Sequence, residues 1–347
     1  MNLLVTGGAG FIGSNFILYM LENQRDIRII NLDNLTYAGS LKNLEGAMDN
    51  PRQIFIKGDI CDRSLVDGIF AEYDIEGVIH FAAESHVDNS IENPSPFVET
   101  NVLGTLTLLE AARSHWMDGV NTYKQPYKNA RFHHISTDEV YGTLGEDGYF
   151  TEATPYAPNS PYSASKASSD MLVRSYFHTY GMNVVTTNCS NNYGPRQHDE
   201  KLIPTIIRKA LALEPIPIYG NGQNVRDWLY VIDHCRAIER VFFDGAAGET
   251  YLIGGHSEKT NLEVSQIICG ILDKQMPISK NEKGITSYVQ LIDFVGDRPG
   301  HDFRYAIDDS KLRKNLGFEN QYEFEVGIEL TISNMIKKLI GKKSAFI

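Results

Sequence analysis

Two kinds of apolar pattern take turns along this chain. Short unbroken runs at Asn2–Thr6, Ile27–Leu32, Ile54–Lys57, Val78–Ala83, Arg131–Ile135 and Val184–Asn188 read as buried strands. Stretches with helical spacing stand between them, the first carrying Ile17, Leu18 and Leu21. This alternation predicts an α/β fold on a doubly wound parallel sheet, with ligands at the carboxyl ends of the strands. Two helical stretches, Phe97–Arg113 and Tyr162–Tyr180, are apolar on more than one face. One side is expected in the core and the other against a partner subunit, giving a homodimer. Beyond about Arg196 the pattern loses its regularity, and Gly194-Pro195 marks a place to leave the first unit. The expected division is 1–190 for the sheet domain and 191–347 for a smaller C-terminal domain, with some return of the chain to the first.

The strand ends carry the chemistry. Asn2–Thr6 runs directly into Gly7-Gly8-Ala9-Gly10-Phe11-Ile12-Gly13. Glycines at 7, 10 and 13 let the backbone turn sharply, come close to a pyrophosphate and pack helix on strand, while the following helix offers its first amides to the phosphates. The spacing is GxxGxxG, a variant of the usual dinucleotide fingerprint. Asp33 ends the second strand, twenty residues after Gly13. An acid there accepts hydrogen bonds from a ribose diol and repels a 2′-phosphate, so NAD is expected rather than NADP. Asp59, after the third strand, is placed to meet an adenine edge, and the small Ala82 and Ala83 let a cofactor lie close to the sheet.

The strand Arg131–Ile135 delivers Ser136-Thr137-Asp138-Glu139-Val140-Tyr141-Gly142 to the same edge. A simple dehydrogenase needs a hydroxyl and one base, not two adjacent carboxylates. Successive strand residues point to opposite faces, so Asp138 and Glu139 can act together only if the chain leaves strand geometry there. Ser160 is a ready N-cap and Pro161 a first helical residue for the stretch holding Tyr162 and Lys166. Their i, i+4 spacing puts phenol and ammonium on one helix face, where the ammonium favours the phenolate. Such a pair can take a proton from a sugar hydroxyl while hydride leaves the same carbon. Arg226 has a fork suited to a diphosphate, Lys201 is a second cation, and Asp297–Asp302 is a turn able to line a pocket.

Composition narrows the partners. At 347 residues the chain exceeds one compact core. A net charge of −12 argues against nucleic acid, so an anionic substrate must meet locally placed cations or helix N-termini. Cys61, Cys189, Cys235 and Cys269 form no CxxC, which suits reduced thiols and neither a metal site nor a disulfide frame. With no signal-like start and no long apolar stretch, a cytoplasmic protein away from membranes is expected. The lysines at 337, 338, 342 and 343 are expected in a frayed tail.

Thr6–Gly13, Tyr162 with Lys166, and Arg226-Asp227-Trp228 together resemble the extended short-chain dehydrogenase/reductase family acting on nucleotide sugars. Within it, Thr137-Asp138-Glu139, Ser190–Pro195, Lys201–Pro204 and Asp297–Asp302 are similar to the nucleotide-sugar 4,6-dehydratases. The resemblance spans nearly the whole chain. It implies a Rossmann-type domain, tightly held NAD, a smaller nucleotide-sugar domain and a homodimer. For the cofactor it implies Gly7, Gly10, Phe11, Ile12, Gly13, Asp33, Asn34, Thr36, Asp59, Ile60, Ala82, Ala83, Ser85, Thr100, Tyr162 and Lys166. For the nucleotide sugar it implies His86, Thr137, Asn191, Lys201, Leu202, Pro217, Tyr219, Arg226, Asn261, Arg298 and His301. Tyr162 and Lys166 would oxidise C4 with Thr137 steadying the oxygen, Glu139 would take the C5 proton, and Asp138 would protonate the departing C6 hydroxyl. A 4-epimerase would share the oxidation without needing the acid pair. A non-catalytic NAD-sensing module would tolerate loss of Tyr162 or Lys166, and both are present.

Overall fold

The structure, a computed structural model, describes residues 1–279, 281, 283–297 and 300–344, with side chains through residue 339. Seven parallel strands make the main sheet: β1 Asn2–Thr6, β2 Arg28–Asp33, β3 Gln53–Lys57, β4 Gly77–His80, β5 Arg131–Thr137, β6 Val184–Cys189 and, late in the chain, Thr250–Ile253. Their spatial order is β3-β2-β1-β4-β5-β6 followed by Thr250–Ile253. The order reverses between β1 and β4, so the crevice for a ligand opens above that pair. The register sets Thr6 beside both Leu32 and His80, and Thr137 beside Cys189, so every carboxyl end reaches one edge.

Helices cover both faces. One face carries a core around Leu4, Ile30, Val78, Leu108, Phe132 and Val173, the other a core around Val5, Phe16, Ile29, Ile79 and Phe242. The first helix, α1, spans Phe11–Asn23. The crossover from β2 to β3 departs from the expected alternation: it holds only a short 3-10 turn at Leu41–Leu44. Gly39, Gly46 and Pro51 interrupt any helical run there.

Three further expectations are corrected. The strand foreseen at Val78–Ala83 stops at His80, because the next residues bend over β1, where Phe81 N donates to Thr6 O at 3.1 Å and Ala82 N to Thr6 Oγ1 at 3.3 Å. The single helix foreseen at Phe97–Arg113 is continuous winding from Ser95 to Trp116 with a π-helical stretch at Val98–Gly104. Side chains satisfy the widened turn: Ser169 Oγ and Thr105 Oγ1 both donate to Asn101 O at 2.6 Å. The tail is helical through Ser344, with Lys337 and Lys338 exposed on it, and the side chains of Lys342 and Lys343 lie outside those described.

The chain leaves the main sheet at Asn191. Strand Asn191–Tyr193 runs parallel beside Val225–Tyr230, which also pairs antiparallel with Glu258–Thr260. Ile216–Tyr219 pairs with Ile292–Val295. These elements share a separate core of Ile203, Ile206, Ile218, Trp228, Ile268 and Ile328. Between them the chain returns, because helix Val231–Asp244 buries Val231, Ile238 and Phe242 against the main sheet. No helix among the described residues is long and apolar enough to cross a membrane.

Candidate active site

A cavity of about 370 Å³ lies over the carboxyl ends of β1, β2, β4, β5 and β6. Its floor at β1 is the glycine turn. Gly7 has φ +70, and a Cβ there would sit 2.6 Å from Ala82 N; one on Gly13 would sit 2.4 Å from Gly7 O. The turn therefore has no room for side chains and leaves backbone as the surface a ligand meets. Asp33 closes the β2 side. Its Oδ2 accepts from Ala9 N at 2.8 Å and its Oδ1 from Leu35 N at 2.7 Å, which fixes the carboxylate and leaves lone pairs on both oxygens. Asp59 is held likewise by Cys61 N at 2.8 Å and Asn34 Nδ2 at 3.1 Å. A side-chain-free turn beside an anchored acid fits a dinucleotide with an unphosphorylated ribose.

The opposite wall is the catalytic cluster. Helix α2, Pro161–Tyr180, starts where the sequence predicts, with Pro161 at its first position. Ser160 and Ser163 cap each other, Ser163 N donating to Ser160 Oγ at 3.1 Å and Ser160 N to Ser163 Oγ at 3.0 Å, a box worth about 1 kcal/mol. That start places Tyr162 and Lys166, one turn apart, in the cavity wall, 8% and 4% exposed. Lys166 Nζ donates to Ile135 O at 2.8 Å. Burial pulls its pKa down to about 8 against the attraction of Asp170. The Tyr162 phenol is raised well above its ordinary value, by burial first and then by Glu139. The sequence expectation that the ammonium favours phenolate is thus outweighed by burial: a fully buried group moves by up to about 3–5 pH units, one beside a charge by about 1–3.

β5 runs two residues past the expected strand and ends at Thr137, where the chain turns into a 3-10 helix at Asp138–Tyr141. Leaving strand geometry lets the two acids share the cavity. Thr137 caps the turn, its Oγ1 accepting from Glu139 N at 3.3 Å. Asp138 is 2% exposed, its Oδ1 receives the Thr137 hydroxyl at 3.4 Å, and its Oδ2 has no hydrogen-bond partner among the described residues. Burial, then Glu139 and Asp227, push its pKa well up, with Arg226 pulling the other way. These influences favour the neutral carboxyl of Asp138, the form that can act as an acid beside Glu139.

Among the residues singled out from sequence, the cavity wall collects Gly7, Gly10, Phe11, Ile12, Gly13, Asp33, Asn34, Thr36, Asp59, Ile60, Ala82, Ala83, Ser85 and Thr100. It also collects Thr137, Asp138, Glu139, Tyr162, Lys166, Asn191, Lys201 and Leu202. His86 stands beside it, Nε2 3.6 Å from Glu200 of the wall. Pro217, Tyr219, Arg226, Asn261 and His301 lie on the second unit, off this wall. Arg226 donates Nη2 to Asp302 O at 2.9 Å and Nη1 to Val225 O at 2.8 Å, stacked 4.3 Å over the Tyr305 ring. His301 Nδ1 pairs with Asp297 Oδ1 at 2.6 Å, with its ring 6.3 Å from that of Tyr219. Arg298 lies outside the described residues. Sequence reasoning missed Tyr37, Glu84, Ser190 and His198 of the wall. It also missed Asp170 and Asp227, both charged groups buried behind it. Asp170 carried a signal, a second i, i+4 step after Tyr162 and Lys166, and Ser190 and Asp227 stand inside the stretches Ser190–Pro195 and Arg226-Asp227-Trp228.

Fold and site together define a short-chain dehydrogenase/reductase of the extended, nucleotide-sugar type. The family model described as GDP-mannose 4,6 dehydratase matches residues 4–331. A dTDP-glucose 4,6-dehydratase of Xanthomonas campestris pv. campestris is 58% identical over 329 residues, covering 95% of this chain and 91% of that one. The solved dTDP-glucose 4,6-dehydratase of Bacillus anthracis, in complex with NAD, superposes with a TM-score of 0.84 at 46% identity, covering 97% of each chain. The UDP-glucose 4-epimerase of Thermotoga maritima shares the fold, TM-score 0.83, at 28% identity over 98% of this chain and 100% of that one. The chain belongs to the dTDP-glucose 4,6-dehydratase family.

Proposed function

We propose that this chain is an NAD-dependent lyase that dehydrates dTDP-glucose to dTDP-4-keto-6-deoxyglucose. The observation that carries this reading is the adjacent pair of acids, the buried Asp138 and Glu139, in the same cavity as Tyr162 and Lys166. Water cannot readily leave across C5 and C6 of glucose, because the C5 hydrogen is not acidic; a ketone at C4 makes it so. The glycine turn, Asp33, Asp59 and Ile60 are the residues that would hold NAD, which would supply the transient removal of hydride from C4 and its return to C6. Tyr162, supported by Lys166, takes the C4 hydroxyl proton while Thr137 holds that oxygen. Glu139 takes the C5 proton, and Asp138 gives its proton to the departing C6 oxygen. Asn191, Lys201 and Leu202 hold the sugar nucleotide from the cavity side, and Pro217, Tyr219, Arg226, Asn261 and His301 from the second unit. Residues 231–253 and 310–318 are counted with the first unit, the latter because Leu312, Leu316 and Phe318 pack with Val185, Tyr251 and Ile253 of the main sheet, and the rest of 191–347 with the second.

Incubation with dTDP-glucose and with UDP-glucose tests the reading. The expected product is a 4-keto-6-deoxy sugar, with faster turnover on dTDP-glucose. A C4-inverted sugar that keeps its C6 hydroxyl would establish an epimerase instead.

The proposal includes a homodimer and a cytoplasmic location. Val98 and Leu103, 50% and 51% exposed, and Met171, 52% exposed, form the outer faces of two helices whose inner faces enter the core. Leu106, by contrast, packs partly against that core. All four cysteines are free thiols, three of them buried, as reducing conditions maintain. Leu103→Asp should weaken the dimer more than tenfold, since an unpaired charge in an interface costs several kcal/mol. Sedimentation of the unmodified chain as a monomer at micromolar concentration would remove the dimer from the proposal.

A further inference from the structure

We propose that Asp170 is a positioning residue that keeps Lys166 in its ammonium form beneath Tyr162, by its charge and not by its packing. The inference rests on the reading of Tyr162 and Lys166 as the oxidising pair. Asp170 sits on α2 one turn beyond Lys166 and is 4% exposed. Its Oδ2 accepts from Ser136 Oγ at 2.9 Å, Tyr156 OH at 2.9 Å and Asn188 Nδ2 at 3.2 Å, and its Oδ1 lies 3.1 Å from His134 Nε2. Three neutral donors on one oxygen are what an ionised carboxylate needs when water is excluded.

The groups that face Lys166 leave Asp170 as its counter-ion. Tyr162 comes from the same helix, His80 from β4, His134 from β5 and Cys189 from β6. Burial keeps both imidazoles uncharged, and it pushes up the Cys189 thiol and the Tyr162 phenol, so these two stay protonated near neutral pH. His80 is fixed in one tautomer. Thr105 Oγ1 donates to Asn101 O and so accepts from His80 Nε2 at 2.9 Å, leaving Nδ1 to accept from Thr6 Oγ1 at 2.7 Å. Burial raises Asp170 to about 6, restrained first by Lys166, while Lys166 is held at about 8. Between those values the pair is ionised, and the ammonium stands where the phenol must lose its proton. Without the carboxylate, a buried lysine sheds its charge instead.

The test is the pH profile of kcat/KM for the NAD-loaded enzyme on dTDP-glucose. Asp170→Asn should move the alkaline limb down by at least one pH unit, giving a loss of about fivefold or more at pH 8 that shrinks as the pH falls toward 6. Tyr156→Phe disturbs the same cluster but keeps the carboxylate, and should leave the alkaline limb in place. If Asp170→Asn does not fold, Asp170→Ser removes the charge as well and carries the same comparison. An equal loss at every pH, or a limb that stays put without the carboxylate, would overturn the proposal. That outcome is distinct from a failure of the functional reading, which would show as an unmodified enzyme making no 4-keto-6-deoxy sugar at pH 7.

Discussion

Glu139→Gln is expected to abolish exchange of the sugar's C5 hydrogen with deuterated solvent while reduction of bound NAD stays measurable. The amide keeps the volume and the backbone cap, since Thr137 Oγ1 accepts from Glu139 N and not from its side chain. What is lost is the base, together with the negative charge that helps raise Asp138 and Tyr162. One positioned acid or base contributes about 10²–10⁴-fold, so steady-state product formation should fall by that range. Asp138→Asn is the complementary variant. Burial favours the uncharged form of Asp138, so its amide should fit without new strain, yet an amide cannot hand a proton to a departing oxygen. Loss of water should slow by a similar factor, and C5 exchange should persist. The variants separate proton removal from proton delivery, which a structural role for either acid would not do. Elimination at the unmodified rate in both would sink the assignment.

How much of this was legible in the sequence depends on how local each cause is. The cap at Ser160, the start at Pro161 and the Tyr162–Lys166 spacing lie within seven residues and came out as read. The glycine turn and Asp33 were legible for the same reason: a tight turn and a strand end are short-range facts. The Asp138–Glu139 turn was legible as a condition, because two carboxylates in series on a strand would face apart, and the structure meets that condition with a 3-10 turn. The π-helical stretch was not legible. It depends on Asn101, whose Nδ2 donates to Ser165 Oγ at 2.8 Å, a partner 64 residues away. The upward pull on Asp138 and on Tyr162 was hidden as well, since burial is a property of the assembled sheet. The second unit was read least well. Its strands are three to six residues long and pair out of sequence order, so periodicity carries little signal there.

Tyr162→Phe is expected to lower turnover by about 10²–10⁴-fold and, unlike Glu139→Gln, to remove the reduction of bound NAD within the first turnover. The phenylalanine ring fills the same space against Phe97, whose ring lies 6.3 Å from that of Tyr162, so the helix start and the cavity wall should survive. What goes is the proton acceptor. Burial and the nearby acids oppose ionisation of the phenol, so Tyr162 must first shed its own proton beside the Lys166 ammonium, and the phenolate then takes the hydroxyl proton as hydride leaves the same carbon of the sugar. This coupling gives an order to the two blocks. Elimination needs the ketone, so a chain that cannot make the ketone should be indifferent to loss of its C5 base. The double variant Tyr162→Phe/Glu139→Gln should then turn over no more slowly than Tyr162→Phe alone, far from the product of the two separate losses. Multiplicative losses would mean that the two residues serve independent reactions. Rapid-mixing absorbance at the reduced nicotinamide band, read beside product analysis by mass, makes both comparisons, and NAD reduction at the unmodified rate in Tyr162→Phe would take the oxidation away from this tyrosine.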